Sequence, residues 1–389
     1  MSRRAGKPIL PWPVLALGVV AAGVALFVAF VVGDGSGGGD GGGGTPTPRP
    51  TPTLGTVSGT IGYITPDGDF ALMDGNGANQ RVLTSDGAAT AFAWSPDGSI
   101  AAVEFGGGAA HVAGVNPADG SVLFDIDGAA QPLWSPDGDR LVVAQDGSLG
   151  VFDASGGLQR AFESATRPAW SPDGASIAFL TLDADGKGVP VVASLETGEK
   201  TELSPDIVPA EPVYPIAWHP AGSVIAYRNR VYEPSTGTAT DLSGTAVLWS
   251  PNGRTLLVAG EFVPADNATK GYVLDATQGF KQVIGLSIRP SAQDIPAQLF
   301  IQKWTDWTPD GRYLLYMDPE PDRQRIRVYD TIDITQTPHH NIAGERPDIS
   351  PDGRHLTFMY QGKVWVYALD KSALAAVTEG GLPAWRPTP

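Results

Sequence analysis

A single pentapeptide, Trp-Ser-Pro-Asp-Gly, returns along this chain at intervals of 31 to 58 residues, and a repeat of that period restricts the chain to an array of one small structural unit. It stands at 94–98, 134–138 and 170–174, as WHPAG at 218–222, WSPNG at 249–253, WTPDG at 307–311 and ISPDG at 349–353; a shortened eighth copy, Trp-Arg-Pro, begins at 385. Seven of the ten tryptophans, Trp94, Trp134, Trp170, Trp218, Trp249, Trp307 and Trp385, occupy this one slot. The other residues are turn formers. Pro presets φ for a type I turn, the aspartates (Asp97, Asp137, Asp173, Asp310, Asp352) suit the next place, and the glycines (Gly98, Gly138, Gly174, Gly311, Gly353) supply the left-handed residue that closes a bulged hairpin.

After each motif comes a short apolar strand (99–105, 141–145, 177–182, 314–318), then a second one ending in Asp or a Thr-Gly turn (149–153, 191–198, 326–330), then a third before the next motif. That makes four strands per unit. Residues 55–389 divided among eight motifs give about 42 residues each, the size of a four-stranded propeller blade. The ends complete one another: 382–385 reads as a lone first strand, while 60–65, 70–74 and 80–84 read as second, third and fourth strands without a first. The expected fold is therefore an all-β, eight-bladed propeller closed by a blade shared between both ends, which removes two exposed sheet edges. Seven blades is the alternative if the short 218–249 unit is incomplete.

This motif and the apolar strand behind it resemble the TolB-like, PD40 or WD40-like propeller repeats. The resemblance covers about 85% of the chain. It implies a protein-binding or scaffolding role, as in the exported translocation protein TolB, or an accessory propeller such as those preceding hydrolase domains. No separate α/β domain and no hydrolase domain is expected within the sequence.

The first 54 residues have another composition. Arg3, Arg4 and Lys7 precede a run without charge, and Val14 to Val32 is apolar throughout; at 1.5 Å per residue those 19 residues span about 28 Å, close to a bilayer's hydrocarbon core. Basic residues before the run and Asp34 and Asp40 after it predict a cytoplasmic tail at 1–8, a transmembrane helix at 9–33 and an exported remainder. A cleaved signal peptide is the rival; the run is long for one and lacks a clear small-residue cleavage site. Residues 34–54, Gly-rich and then TPTPRPTPT, predict a linker that is flexible and then extended, leading to a propeller at 55–389.

Composition then removes functions. With no Cys there is no disulfide, thiolate metal site, thiol nucleophile or lipid-modified Cys. A net charge of −16 argues against nucleic acid as partner; beyond the tail, 23 basic residues face 42 acidic ones. No G-x-S-x-G, HExxH, EF-hand or P-loop motif occurs. The five histidines read as structural or surface residues, and a metal held by His339 and His340 with Asp330 or Asp333 is weaker than a solvated loop pair. Asp125 with Asp127 and Asp183 with Asp185 lack the further oxygens of a calcium loop. No cofactor and no metal are expected, and nothing marks the ring as other than monomeric.

Loop lengths are more informative. In such a blade the links between strands one and two and between three and four share one face, and those sequences read as tight turns throughout. The long segments, 182–189, 205–215, 261–270, 286–303 and 318–325, fall on the opposite face. Tyr214, Arg289, Gln298, Phe300, Trp304, Asp318, Asp322 and Arg323 are the candidate binding residues there, since long loops on a rigid scaffold commonly carry recognition. Three functions stay open: a non-catalytic module at the cell surface binding protein, peptide or glycan; a lyase, lactonase or glycosidase with its site in the central channel; or a structural or sensory ectodomain.

Overall fold

Every complete Ser-Pro-Asp-Gly segment folds as the turn its residues favour. In the first, Gly98 has φ 67° and donates its N–H to the Ser95 carbonyl, while the Asp97 carboxylate accepts from Ser95 Oγ at 2.7 Å and from the Ser99 N–H at 2.9 Å. Ser95 is buried, and its Oγ accepts the N–H of Ile100, so the turn is closed from inside as well. Asp173, Asp310 and Asp352 repeat this pattern. The repeated aspartates are therefore turn residues, as their regularity suggested.

The computed structural model describes residues 54, 56–107, 110–182, 184, 188–203, 216–263, 268–288, 305–319, 324–332 and 340–388. The expected tail and membrane helix, and the linker apart from Leu54, lie outside them. Among the described residues no helix is long and apolar enough to cross a membrane.

The described strands form eight four-stranded antiparallel sheets, and seven of them are consecutive along the chain. We number these blades 1 to 7 from the strand Ala89–Trp94 onward. The short unit is complete: Ile216–Trp218, Ile225–Tyr227, Arg230–Glu233 and Thr238–Asp241 make blade 4, so the ring has eight blades. Blade 8 joins Gly381–Trp385 to Thr60–Ile64, Phe70–Asp74 and Arg81–Val82. Its register pairs Ile61 with Trp385 and Gly62 with Ala384.

The core lies between blades. Eight clusters of buried side chains each draw on two neighbouring sheets; one joins Val142, Val151 and Phe162 of blade 2 to Trp170, Ile177 and Phe179 of blade 3. Two more carry the ring across its ends, from blade 7 to 8 and from blade 8 to 1. The motif tryptophan belongs to this layer. Trp134, Trp170 and Trp218 donate their indole N–H to the carbonyl of Ala93, Leu133 and Ala169, each in the preceding blade's first strand. The indole N–H of Trp94, Trp249, Trp307 and Trp385 is buried without such a partner, so what the copies share is the large apolar surface packed between blades rather than the hydrogen bond.

Link lengths need two corrections. The face of the motif turns is not short throughout: residues 331–339 join strands three and four of blade 6, and 333–339 lie outside the described residues. On the opposite face, much of what reads as loop is strand. In blade 5, Thr255–Val263 and Ala268–Asp275 continue pairing to Val263 and Ala268, and the fourth strand follows as Lys281–Ile288. The ladder is thus prolonged on both sides of a segment that its length marked as a long link. The two longest links remain 204–215 and 289–304, both outside the described residues.

Candidate functional site

Of the eight candidate residues, Tyr214, Arg289, Gln298, Phe300, Trp304, Asp322 and Arg323 lie outside the described residues. Asp318 lies within them and is 1% exposed, at the end of the strand Tyr313–Pro319 with its carboxylate 2.7 Å from Arg327 Nη2. It is a buried partner of Arg327. Beside it Tyr316 stacks on Tyr329 at 5.7 Å, and burial, aided by nearby negative groups, pushes the Tyr316 hydroxyl well above its ordinary range. Blade 6 thus has a polar seam at the end of its sheet nearest the long links.

His340 Nδ1 is 2.8 Å from the Tyr367 hydroxyl, and Asp330 is held by Arg312 at 2.7 Å. His339 and Asp333 lie outside the described residues. Among the described residues no three His, Asp or Glu side chains are placed to share a metal ion.

The channel wall is more distinctive. First strands of neighbouring blades adjoin one another, and the residue before the motif is Ala93, Leu133, Ala169, Ala217, Leu248, Asp306, Asp348 and Ala384 in blades 1 to 8. Six are apolar; the two acids sit on adjacent blades, 6 and 7. Asp306 Oδ1 accepts the N–H of Trp307 at 2.7 Å, and Asp348 Oδ2 accepts the N–H of Trp385, in blade 8, at 2.6 Å. Both side chains are half-buried. Burial pushes Asp306 up to about 6. Burial and then the neighbouring Asp306 push Asp348 up to about 8. Both shifts favour the protonated carboxyl over the ionised one.

A second feature lies nearby. Gln131, Arg167, Arg346 and Leu382 each precede a proline in a first strand, at φ between 48° and 57°, where the register shifts through a bulge. Such bulges re-aim side chains beside functional sites. The Gln131 N–H is bound by Glu104 of the preceding blade at 2.7 Å. Sequence reasoning passed over both features. Their signals are present in the aligned repeats: an acid before the motif in two copies, and X-Pro two residues before the motif Trp or Ile in four.

Sheet order, inter-blade cores and closure define the class, an eight-bladed β-propeller. Solved structures with the same fold include a eukaryotic initiation factor, with TM-score 0.56 and 13% identity over 86% of this chain and 99% of that one. An uncharacterized protein of Listeria monocytogenes matches with TM-score 0.53 and 10% identity over 76% and 95%. TolB from Acinetobacter baumannii matches at 0.38, with 12% identity over 76% and 82%. At these identities the first two show a likeness of fold alone. No family model and no curated protein matches the sequence.

Proposed function

We propose that this chain is a membrane-anchored, exported propeller that binds a protein, peptide or glycan at the cell surface through the face of its long links and performs no chemistry. The observation that carries this reading is the asymmetry of blades 3 to 6. On that face blade 5 raises its second, third and fourth strands to nine, eight and eight residues, against five or six in the matching strands of blade 1. This paired wall stands where the two longest links, 204–215 and 289–304, enter and leave blades 4 to 6. A rigid scaffold with long segments gathered on one side suits recognition. The double variant Tyr214→Ala with Arg323→Ala should lose capture of the partner from intact cells while keeping the parent melting temperature; unchanged capture removes the reading.

One observation favours a second reading. Asp306 and Asp348 are acids on adjoining first strands at a position that is apolar in the other six blades, and paired acids are what a propeller lyase, lactonase or glycosidase would need. Asp348→Asn would then abolish turnover and leave partner capture intact.

A further inference from the structure

Three of the bulged first strands share an inter-blade contact. Gln131, Arg346 and Leu382, each before a proline, direct the backbone N–H to a side chain on the second strand of the preceding blade. For Gln131 the acceptor is the Glu104 carboxylate. For the other two it is a thioether, with Met317 Sδ 3.4 Å from the Arg346 nitrogen and Met359 Sδ 3.1 Å from the Leu382 nitrogen. The chain has four methionines, and two of them hold this one place.

The two sulfurs differ in their surroundings. Met317 is 1% exposed, as is Met73, whereas Met359 is half-buried. They differ also in the strand they hold. Met317 braces blade 7, whose first strand runs into its second through the motif turn at 349–353. Met359 braces Gly381–Trp385, which has no turn to Thr60–Ile64 and meets it through a ladder that shifts register between Gly62 and Ile64. Packing there is close: a Cβ on Gly381 would lie 2.9 Å from Met359 Cε and 3.3 Å from its Sδ. The more accessible sulfur thus secures the strand on which closure of the ring depends.

We propose that Met359 is an oxidation site through which hydrogen peroxide loosens the closing strand. A lone pair of Met359 Sδ attacks one peroxide oxygen; the S–O bond forms as the O–O bond breaks. The departing hydroxide takes the proton of the transferred oxygen and leaves as water, so sulfur is oxidised by two electrons and the peroxide is reduced. In the sulfoxide the sulfur carries partial positive charge and only the new oxygen accepts hydrogen bonds, so the Leu382 N–H faces a repelling atom. Presenting the oxygen instead requires the side chain to swing, against the Gly381 backbone packed on Cε and Sδ. Leu382 then loses its acceptor, and Gly381–Trp385 is left to its bulged ladder, to Asp348 and to Arg386.

Treatment of the full-length chain with hydrogen peroxide tests this, with sulfoxide at Met73, Met317 and Met359 followed by mass spectrometry. Met359 should convert about tenfold faster than the other two or more, as its exposure requires. Hydrogen exchange of the oxidised chain should then show protection lowered about tenfold in peptides covering 376–389, with the peptides of blades 2 to 5 unchanged. Met359→Leu keeps the apolar bulk and has no sulfur. Untreated, it should already show the lowered protection over 376–389, and peroxide should change it no further. Equal conversion of the three methionines, unchanged protection once Met359 has converted, or a fall shared by all blades each overturns the proposal. So does parent-like protection in untreated Met359→Leu, or a peroxide-induced fall in that variant.

Discussion

Arg386 and Gly98 stand 288 residues apart in the sequence, and the arginine Nε donates to the glycine carbonyl at 2.7 Å. The same guanidinium lies 5.8 Å from the centre of the Trp94 ring, and the Arg386 N–H is bound by the Thr60 carbonyl. One residue thus ties the last inner strand to its own blade and to the first motif turn. Arg386→Ala should cost about 1–2 kcal/mol in urea unfolding, the sum of a hydrogen bond and a modest cation–π contact. The loss should appear early in the peptides of blades 8 and 1 by hydrogen exchange; uniform loss around the ring would argue against a local clasp.

The motif tryptophan makes a sharper demand. Trp170 is buried between blades 2 and 3, and its indole N–H is bound by the Leu133 carbonyl at 3.1 Å. Trp170→Ala should cost about 3–5 kcal/mol, as large aromatic deletions in cores do. Trp170→Phe should cost less, keeping most of the apolar contact and losing the hydrogen bond. Thermal unfolding of the two variants beside the parent distinguishes packing from the polar contact.

Within the turn, Ser171 is the residue to remove. Its Oγ donates to Asp173 at 2.6 Å and accepts the Ser176 N–H at 2.9 Å, and the side chain is buried. Ser171→Ala leaves a buried N–H without its acceptor, so a loss of about 1–3 kcal/mol is expected although one oxygen atom has gone. A change within error in denaturant unfolding would show that water replaces the hydroxyl.

The buried ion pair of blade 6 should behave unlike exposed pairs. Asp318 and Arg327 have side-chain exposures of 1% and 17%, whereas Arg230 and Asp241, also joined in a salt bridge, have 37% and 74%. Asp318→Ala removes the carboxylate partner of a largely enclosed guanidinium and should cost about 3–5 kcal/mol. Asp241→Ala should be close to neutral, because water and salt screen an exposed pair. Loss of binding in an Asp318 variant would therefore have to be judged beside its melting temperature.

Much of this architecture is legible in the sequence because its determinants are local. Ser95, Pro96, Asp97 and Gly98 specify their turn from within four residues, and eight copies count the blades. The closure follows from the same counting. Asp306 and Asp348 escaped because nothing in either local sequence is unusual; their meaning arises where two first strands, 42 residues apart, adjoin at the channel. The segment 261–270 was misread for the opposite reason. It was counted as a long link by its length, with Pro264, Asp266 and Asn267 at its centre, but pairing of the flanking strands reaches Val263 and Ala268. Asp318 was placed by its position beside a long link, although the strand carries it inward to Arg327.

Two sets of carboxylates should give stability a maximum at mildly acidic pH. Asp97, Asp173 and Asp310 are held below the usual range, first by the hydroxyl of Ser95, Ser171 or Thr308 and then by a backbone N–H. Their contribution is complete above the unfolded value of about 4 and is lost as pH falls through their folded values. Asp306 and Asp348 lie above it, at about 6 and about 8, so between about pH 4 and these values the folded chain binds more protons than the unfolded one. Their contribution is complete below about pH 4 and is lost as pH rises through about 6 to about 8. Melting temperature measured against pH should therefore fall on both sides. The double variant Asp306→Asn with Asp348→Asn should flatten the alkaline side between about pH 5 and 8 and leave the acid side in place, since the turn aspartates are untouched. An alkaline fall that survives the double variant would show that the channel pair does not govern it.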